Sequence, residues 1–391
     1  ETIMSGITLM LLGNHAGAAG ITPAQLWVWG GNYNGAQGMN EQAGGAGERS
    51  SPIQLGSEAD WLQFTGAYSF TATRESGYIY ACGDSRWNAS TPSVNNSSPV
   101  QIGALTNWTG GSLAATSTCT RIIKGDGTMW AWGNNYEGAM GTGAGDSVLY
   151  NYSSPVQIGS LTTWGKTKNS VAGGGYQPSA GINASGELFC WGVGNYGANG
   201  QNNVISYSSP VQVGSLTNWS QVVAGSGIIM SLKTDGTLWS WGENDYGQLG
   251  QNYGTGSNVS SPVQIGSATD WEHISLGYQN AGAIRSGKLY CWGRNVGGGV
   301  GDGTVISRSS PVQIGALTTW DDVQAGNDMT LAKKADGTIW AWGANWFGQA
   351  GQNTSTGVKK YSSPVQIGSG TTWTQIQMGN NTSSVARASK T

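Results

Sequence analysis

Seven prolines in this chain are each preceded by serine and each followed, nine positions later, by tryptophan. The pairs are Pro52/Trp61, Pro99/Trp108, Pro155/Trp164, Pro210/Trp219, Pro262/Trp271, Pro311/Trp320 and Pro364/Trp373. A second anchor recurs as often. It is an alternating aromatic run closed by glycine: LWVWG at 26, IYACG at 79, MWAWG at 129, LFCWG at 188, LWSWG at 238, LYCWG at 289 and IWAWG at 339. Only the second copy lacks the closing tryptophan, with Cys82 in its place. The closing glycines run from Gly30 to Gly343, six intervals over 313 residues, or about 52 residues each. A period near fifty with two-residue alternation is the mark of a β-propeller, each repeat folding as one four-stranded blade.

The unit that opens at Trp219 shows the expected strands. Ser220 to Ala224 reads as strand A, Ile228 to Thr234 as B, Leu238 to Trp241 as C and Pro262 to Ile265 as D. Asp235-Gly236 between B and C signals a type I′ hairpin. Proline at the head of strand D suits an outer edge, because it has no N–H for a central ladder. The alternating aromatics of strand C suit the space between blades, each stabilising by roughly 1.5–3 kcal/mol when buried. The last repeat supplies only strands A and B, and the first recognisable strand is a C with no A or B before it. The two ends therefore complement one another, and the expected fold is all-β: a seven-bladed propeller of four-stranded antiparallel blades, with N- and C-terminal strands sharing one blade. Residues 23–391 form that single domain, and residues 1–22 are left as an N-terminal extension or docking arm.

Composition narrows function. Charged residues are 10% of the chain, against roughly 25% in ordinary soluble domains, and glycine supplies 65 of 391 positions. A net charge of −3 with no lysine or arginine cluster gives no footprint for nucleic acid. No apolar run is long enough for a membrane span. The four cysteines, Cys82, Cys119, Cys190 and Cys291, have no CxxC spacing and no histidine partners, so they read as buried free thiols and not as zinc ligands. Two histidines, His15 and His273, lie outside any catalytic motif. The recurring Asp126, Asp235 and Asp336 read as hairpin residues. No catalytic residue, metal or cofactor is expected, and the chain reads as non-enzymatic.

The pattern DGTLWSWGENDYGQLG, followed by a glycine-rich loop and SSPVQ, resembles the repeat of the regulator of chromosome condensation family. Asp235, Gly236, Trp241, Gly242, Asn244, Gly247 and Gly250 carry it here. The resemblance covers residues 24 to 391 and implies a seven-bladed propeller that works by binding. Members of the family exchange nucleotide on a small GTPase, sense UV-B light or inhibit β-lactamases. The UV-B receptors' Gly-Trp-Arg-His-Thr repeats are absent, and so are basic chromatin-facing tails. The uniform, weakly charged repeats look more like members found in bacterial surface proteins and bacteriophage virions.

Spacing points to one face for recognition. From each WG-type glycine to the next Ser-Ser-Pro proline the distances are 22, 16, 22, 18, 20, 18 and 21, whereas proline to tryptophan never varies. Length variation thus gathers in the C–D loops, and variable loops on a rigid scaffold are the usual place for binding. The candidate binding residues there are Trp87, Tyr150, Tyr152, Tyr207, Tyr253 and Tyr361, aromatics set among Asn, Ser and Gly in a paratope-like composition. Tyr136, Tyr196, Tyr246 and Phe347 read as packing residues. The setting this suggests is a structural and recognition module on a bacteriophage virion surface, or otherwise extracellular. Its partners would be other virion or surface-assembly proteins, docked through residues 1–22, and a host surface glycan or protein. The alternative is a regulatory protein-binding propeller, either a GTPase exchange factor or an enzyme inhibitor.

Overall fold

A computed structural model describes residues 23–32, 35–40, 49–66, 69–84, 95–108, 111–115, 118–144, 151–173, 178–353, 360–378 and 385–390. Their strands form seven separate four-stranded antiparallel sheets. We number these blades I to VII by their first strands: Trp61–Gly66, Leu113–Ala115, Val171–Gly173, Trp219–Ala224, Trp271–Leu276, Trp320–Ala325 and Trp373–Met378. Each first strand touches the first strand of the next blade, and Trp373–Met378 touches Trp61–Gly66, so the circuit is closed. Blade VII takes Trp373–Met378 and Val385–Lys390 from one end of the chain and Gln25–Gly30 and Arg49–Gln54 from the other. Gln25–Gly30 pairs with Val385–Lys390 over six residues in unbroken register, which joins the two ends by a full ladder. The expected arm, residues 1–22, lies outside the described residues.

Among the described residues there is no single central core. Apolar burial is divided into seven clusters, one at each seam between neighbouring blades. The tryptophan that opens each repeat packs against the aromatics of strand C, as Trp219 does edge-on to Trp239 at 6.1 Å and tilted to Trp241 at 6.2 Å. The closing tryptophan of strand C reaches into the preceding blade. The indole N–H groups of Trp29, Trp191, Trp241, Trp292 and Trp342 donate to backbone carbonyls there at 2.9–3.0 Å. Cys82 takes this place in blade I, its sulfur close to Gly38 of blade VII. All four cysteines are buried free thiols.

Two local expectations need correction. Strand D begins about three residues before its proline, as in Val259–Gln264, so Pro262 lies inside the strand and not at its head. It is tolerated because Ser260, Ser261 and Pro262 sit in a register break between Val259 and Val263, and the same break recurs in every blade. The Asp-Gly hairpin is also not type I′, because Gly236 has positive φ and Asp235 does not. Asp235 instead accepts from the Thr237 N–H at 3.0 Å and hydroxyl at 2.6 Å, and Gly236 donates to Lys233. That is a type I turn followed by a left-handed glycine. Only blade V, one residue shorter, has both Ser286 and Gly287 at positive φ, the I′ pattern.

The bulge has a role of its own. A turn glycine from the preceding blade lies on the first serine of the bulge, so that a Cβ would stand 2.4–3.0 Å from that serine's Cα. This occurs at Gly35/Ser97, Gly138/Ser208, Gly197/Ser260, Gly247/Ser309, Gly298/Ser362 and Gly348/Ser50. The carbonyl of the same serine accepts a backbone N–H from that blade at 2.5–2.8 Å. The Ser-Ser-Pro segment is thus the socket by which the blade before it is held at six of the seven seams.

Candidate binding rim

The C–D loops start alike and then diverge. Strand C ends in glycine, and an asparagine side chain then brackets a tight turn. Asn32, Asn135, Asn244, Asn295 and Asn345 each accept, through Oδ1, the N–H five residues on at 2.9–3.2 Å. The turn is fixed by this bond and by the socket beyond it, while the rest of the loop is free to vary. On that variable part, apolar side chains stand in solvent: Val204 (65% exposed), Ile205 (56%), Ile306 (62%) and Trp346 (52%), with Tyr253 and Val305 beside them in the series. They belong to the C–D loops of blades III to VI. Single exposed apolar residues are ordinary, but a series of them along one rim is the composition of an interaction surface.

Polar groups interleave with this band and are held in place. The Gln279 amide donates to Glu243 at 3.0 Å, joining blade V to blade IV. Burial pushes the Glu243 carboxyl above its usual range. Arg294 pairs with the buried Asp328 of blade VI and lies 5.4 Å from the Tyr246 ring centre. Arg308 donates to Asp302 at 2.7 Å. Burial opposes ionisation of Asp302, yet bonds from Thr304 and Arg308 hold its carboxyl below the usual range.

The candidate residues from the sequence fall at scattered points on this face. Trp87 and Tyr150 lie outside the described residues. Tyr152 and Tyr207 are half-buried and pack on the seam between blades II and III. Tyr361 packs into the clusters on either side of blade VI. Tyr253 is exposed, on blade IV. Tyr152 and Tyr207 therefore meet at one seam, whereas Tyr253 and Tyr361 stand on other blades. Tyr136 and Tyr196, expected to pack, are exposed. The Val204/Ile205 and Val305/Ile306 pairs escaped a search for aromatics. Their signal is the tripeptide Val-Ile-Ser shortly before two of the Ser-Ser-Pro sockets, an apolar pair where a loop should be polar.

The opposite face carries a different feature. Lys168, in the crossover entering blade III, reaches Asp322 of blade VI at 3.0 Å. Burial opposes ionisation of Asp322, but the charges of Lys168, His273 and Lys333 keep its carboxyl low. Lys333 pairs with Asp321 at 2.6 Å. Burial and the Lys168 charge push His273 down to about 4. Among the described residues no group of three or more acidic, histidine or cysteine side chains gathers as a metal site, and no helix is long and apolar enough to cross a membrane.

A closed ring of four-stranded blades with a constant inner circuit and one variable rim defines the protein as a β-propeller of the repeat-built kind. The chain belongs to the family described as the regulator of chromosome condensation (RCC1) repeat, whose model matches residues 185–232, 235–284, 286–332 and 336–386. It is 27% identical over 388 residues to human E3 ubiquitin-protein ligase HERC2, covering 93% of this chain and 8% of that one. It is 30% identical over 203 residues to the Arabidopsis thaliana ultraviolet-B receptor UVR8, covering 50% of this chain and 44% of that one. The chain thus spans less than half the length of these relatives. In structure it resembles Prp20p from Saccharomyces cerevisiae, with a TM-score of 0.80 at 18% identity over 100% of this chain and 96% of that one. Human WBSCR16 is similar at 0.79, with 16% identity over 94% of this chain and 99% of that one.

Proposed function

We propose that this protein is a non-enzymatic, protein-binding propeller that docks a partner on the C–D rim of blades III to VI. The observation that carries this reading is the exposed apolar band there, set on loops that the serine sockets hold in all four blades and the asparagine brackets hold in blades IV to VI. Apolar anchors on a rigid frame, rimmed by paired charges, are what a protein interface needs, because little ordering entropy is lost on docking. The relatives support a regulatory binder over a virion-surface module. Prp20p is a protein with described binding to Gsp1p and histones, and nothing in the relatives favours a virion setting.

The test is a titration of the protein with two probes, Gsp1p and core histones, beside an Ile306→Asp/Val204→Asp double variant. Binding of either probe that falls at least tenfold in the variant, with unfolding unchanged, supports the reading. Faster nucleotide release from Gsp1p would narrow it to an exchange factor. Binding that the variant leaves intact would place the interface elsewhere and contradict it.

A further inference from the structure

The outer side of the seam between blades IV and V holds an open groove of about 480 Å3, within the roughly 300–1,000 Å3 of small-ligand sites. Its existence follows from the repeat. Three residues before the repeat tryptophan, four crossovers carry an exposed leucine: Leu105, Leu161, Leu216 and Leu317. Here that position is Ala268, a groove-lining residue, and the truncated side chain leaves the floor uncovered.

Two of the groove's lining residues each carry a buried, unpaired polar atom. The Gln251 amide donates to the Ser240 carbonyl at 2.9 Å, to its hydroxyl at 2.9 Å and to the Val263 carbonyl at 3.2 Å. These bonds fix the amide and leave its Oε1 as an acceptor with no donor. The Trp271 indole N–H is a donor with no acceptor. The equivalent indoles of Trp61, Trp108, Trp164, Trp219 and Trp320 are also unpaired; a leucine stands at the crossovers of the last four and Glu58 at that of the first. A donor and an acceptor left unmatched among the groove's lining residues suit a group that can both give and take a hydrogen bond, which is a hydroxyl. Arg285 supplies the charge: its guanidinium lies over Trp271 and Tyr290 at 5.3 and 5.0 Å and meets Asp270 only at 3.8 Å. No carboxylate lines the groove, and the exposed Tyr253 ring offers a face for stacking.

We infer that this groove is a binding site for an acidic saccharide, a uronic-acid oligosaccharide by class. A sugar hydroxyl is satisfied by Gln251 and Trp271, the carboxylate faces Arg285, and a ring face stacks on Tyr253. The site shares only Tyr253 with the apolar rim band, and its test with a saccharide is read independently of protein binding.

The experiment is calorimetric titration of the whole chain with tetragalacturonate, against maltotetraose as the neutral sugar and tetraglutamate as the acidic peptide. The expected result is saturable binding of tetragalacturonate, at least tenfold weaker in Arg285→Gln and lost in Ala268→Leu. The leucine variant should unfold as the parent does, since four other crossovers carry that residue. Three outcomes overturn the assignment: no saturable binding of tetragalacturonate, undiminished binding in Ala268→Leu, or equally tight binding of maltotetraose or tetraglutamate.

Discussion

At Gly247 the backbone has φ of +80°, and a Cβ would lie 2.6 Å from the Ser309 Cα of the next blade. At Gly103 φ is also positive, but nothing lies within 4 Å of the same position. The pair separates conformational strain from inter-blade contact. Gly103→Ala should cost about 1–2 kcal/mol for the left-handed backbone alone. Gly247→Ala should cost more, by an additional 1–3 kcal/mol on the order of an overpacked contact. Urea unfolding of both variants checks this, and equal losses would mean that the socket does not hold the blades together. The sequence shows that these glycines recur. It does not show that the serine beside proline is their partner, because that contact joins residues about sixty positions apart across a seam. The tyrosines fail for a related reason. Tyr152 and Tyr207 look like loop residues when strand D is started at proline, but the strand begins earlier and turns them toward the seam.

Among the elements, the B–C hairpin is the most regular and the most readable. Its Asp-Gly signal lies between strands B and C as the sequence implies, and only the turn type differs, because the aspartate bonds forward to threonine. What the pattern hid is the cation at the end of strand B. Lys124, Lys233 and Lys334 each lie over two tryptophan rings, Lys233 at 3.6 Å from Trp239 and 4.8 Å from Trp219. Lys233→Met keeps the aliphatic stem and loses the charge, so it should lower stability by about 1 kcal/mol in chemical unfolding. No loss would show that only the stem matters. Bonds from the following threonine hold Asp126, Asp235 and Asp336 below the usual carboxylate range. A depressed folded pKa contributes stability above the unfolded value of about 4 and loses it as pH falls through the folded value. Asp235→Asn keeps an acceptor oxygen but cannot titrate. Its unfolding midpoint should therefore fall less than the parent's between pH 5 and pH 2.5, and parallel curves would contradict the hairpin account.

For the whole molecule, closure by blade VII was legible because the two ends of the sequence supply complementary halves of one repeat. The face opposite the rim was not legible, since Lys168 and Asp322 meet across the ring from blades III and VI. His273, kept neutral there down to about 4, gives that face a pH dependence. The native state binds fewer protons at this site than the unfolded chain between about pH 6.5 and 4, so stability should fall as pH drops through that window. His273→Gln should flatten the decline in midpoint, and an unchanged slope would remove His273 as its source. The central claim is that a protein docks on the rim of blades III to VI. Its most direct test is site-specific photocrosslinking in the native cell, with the photoreactive residue at Ile306 or Val204 on that rim and at Leu216 or Leu317 on the opposite crossovers. The account predicts a discrete protein adduct from the two rim positions and none from the crossovers. Adducts from the crossovers alone, or from none of the four, would contradict it.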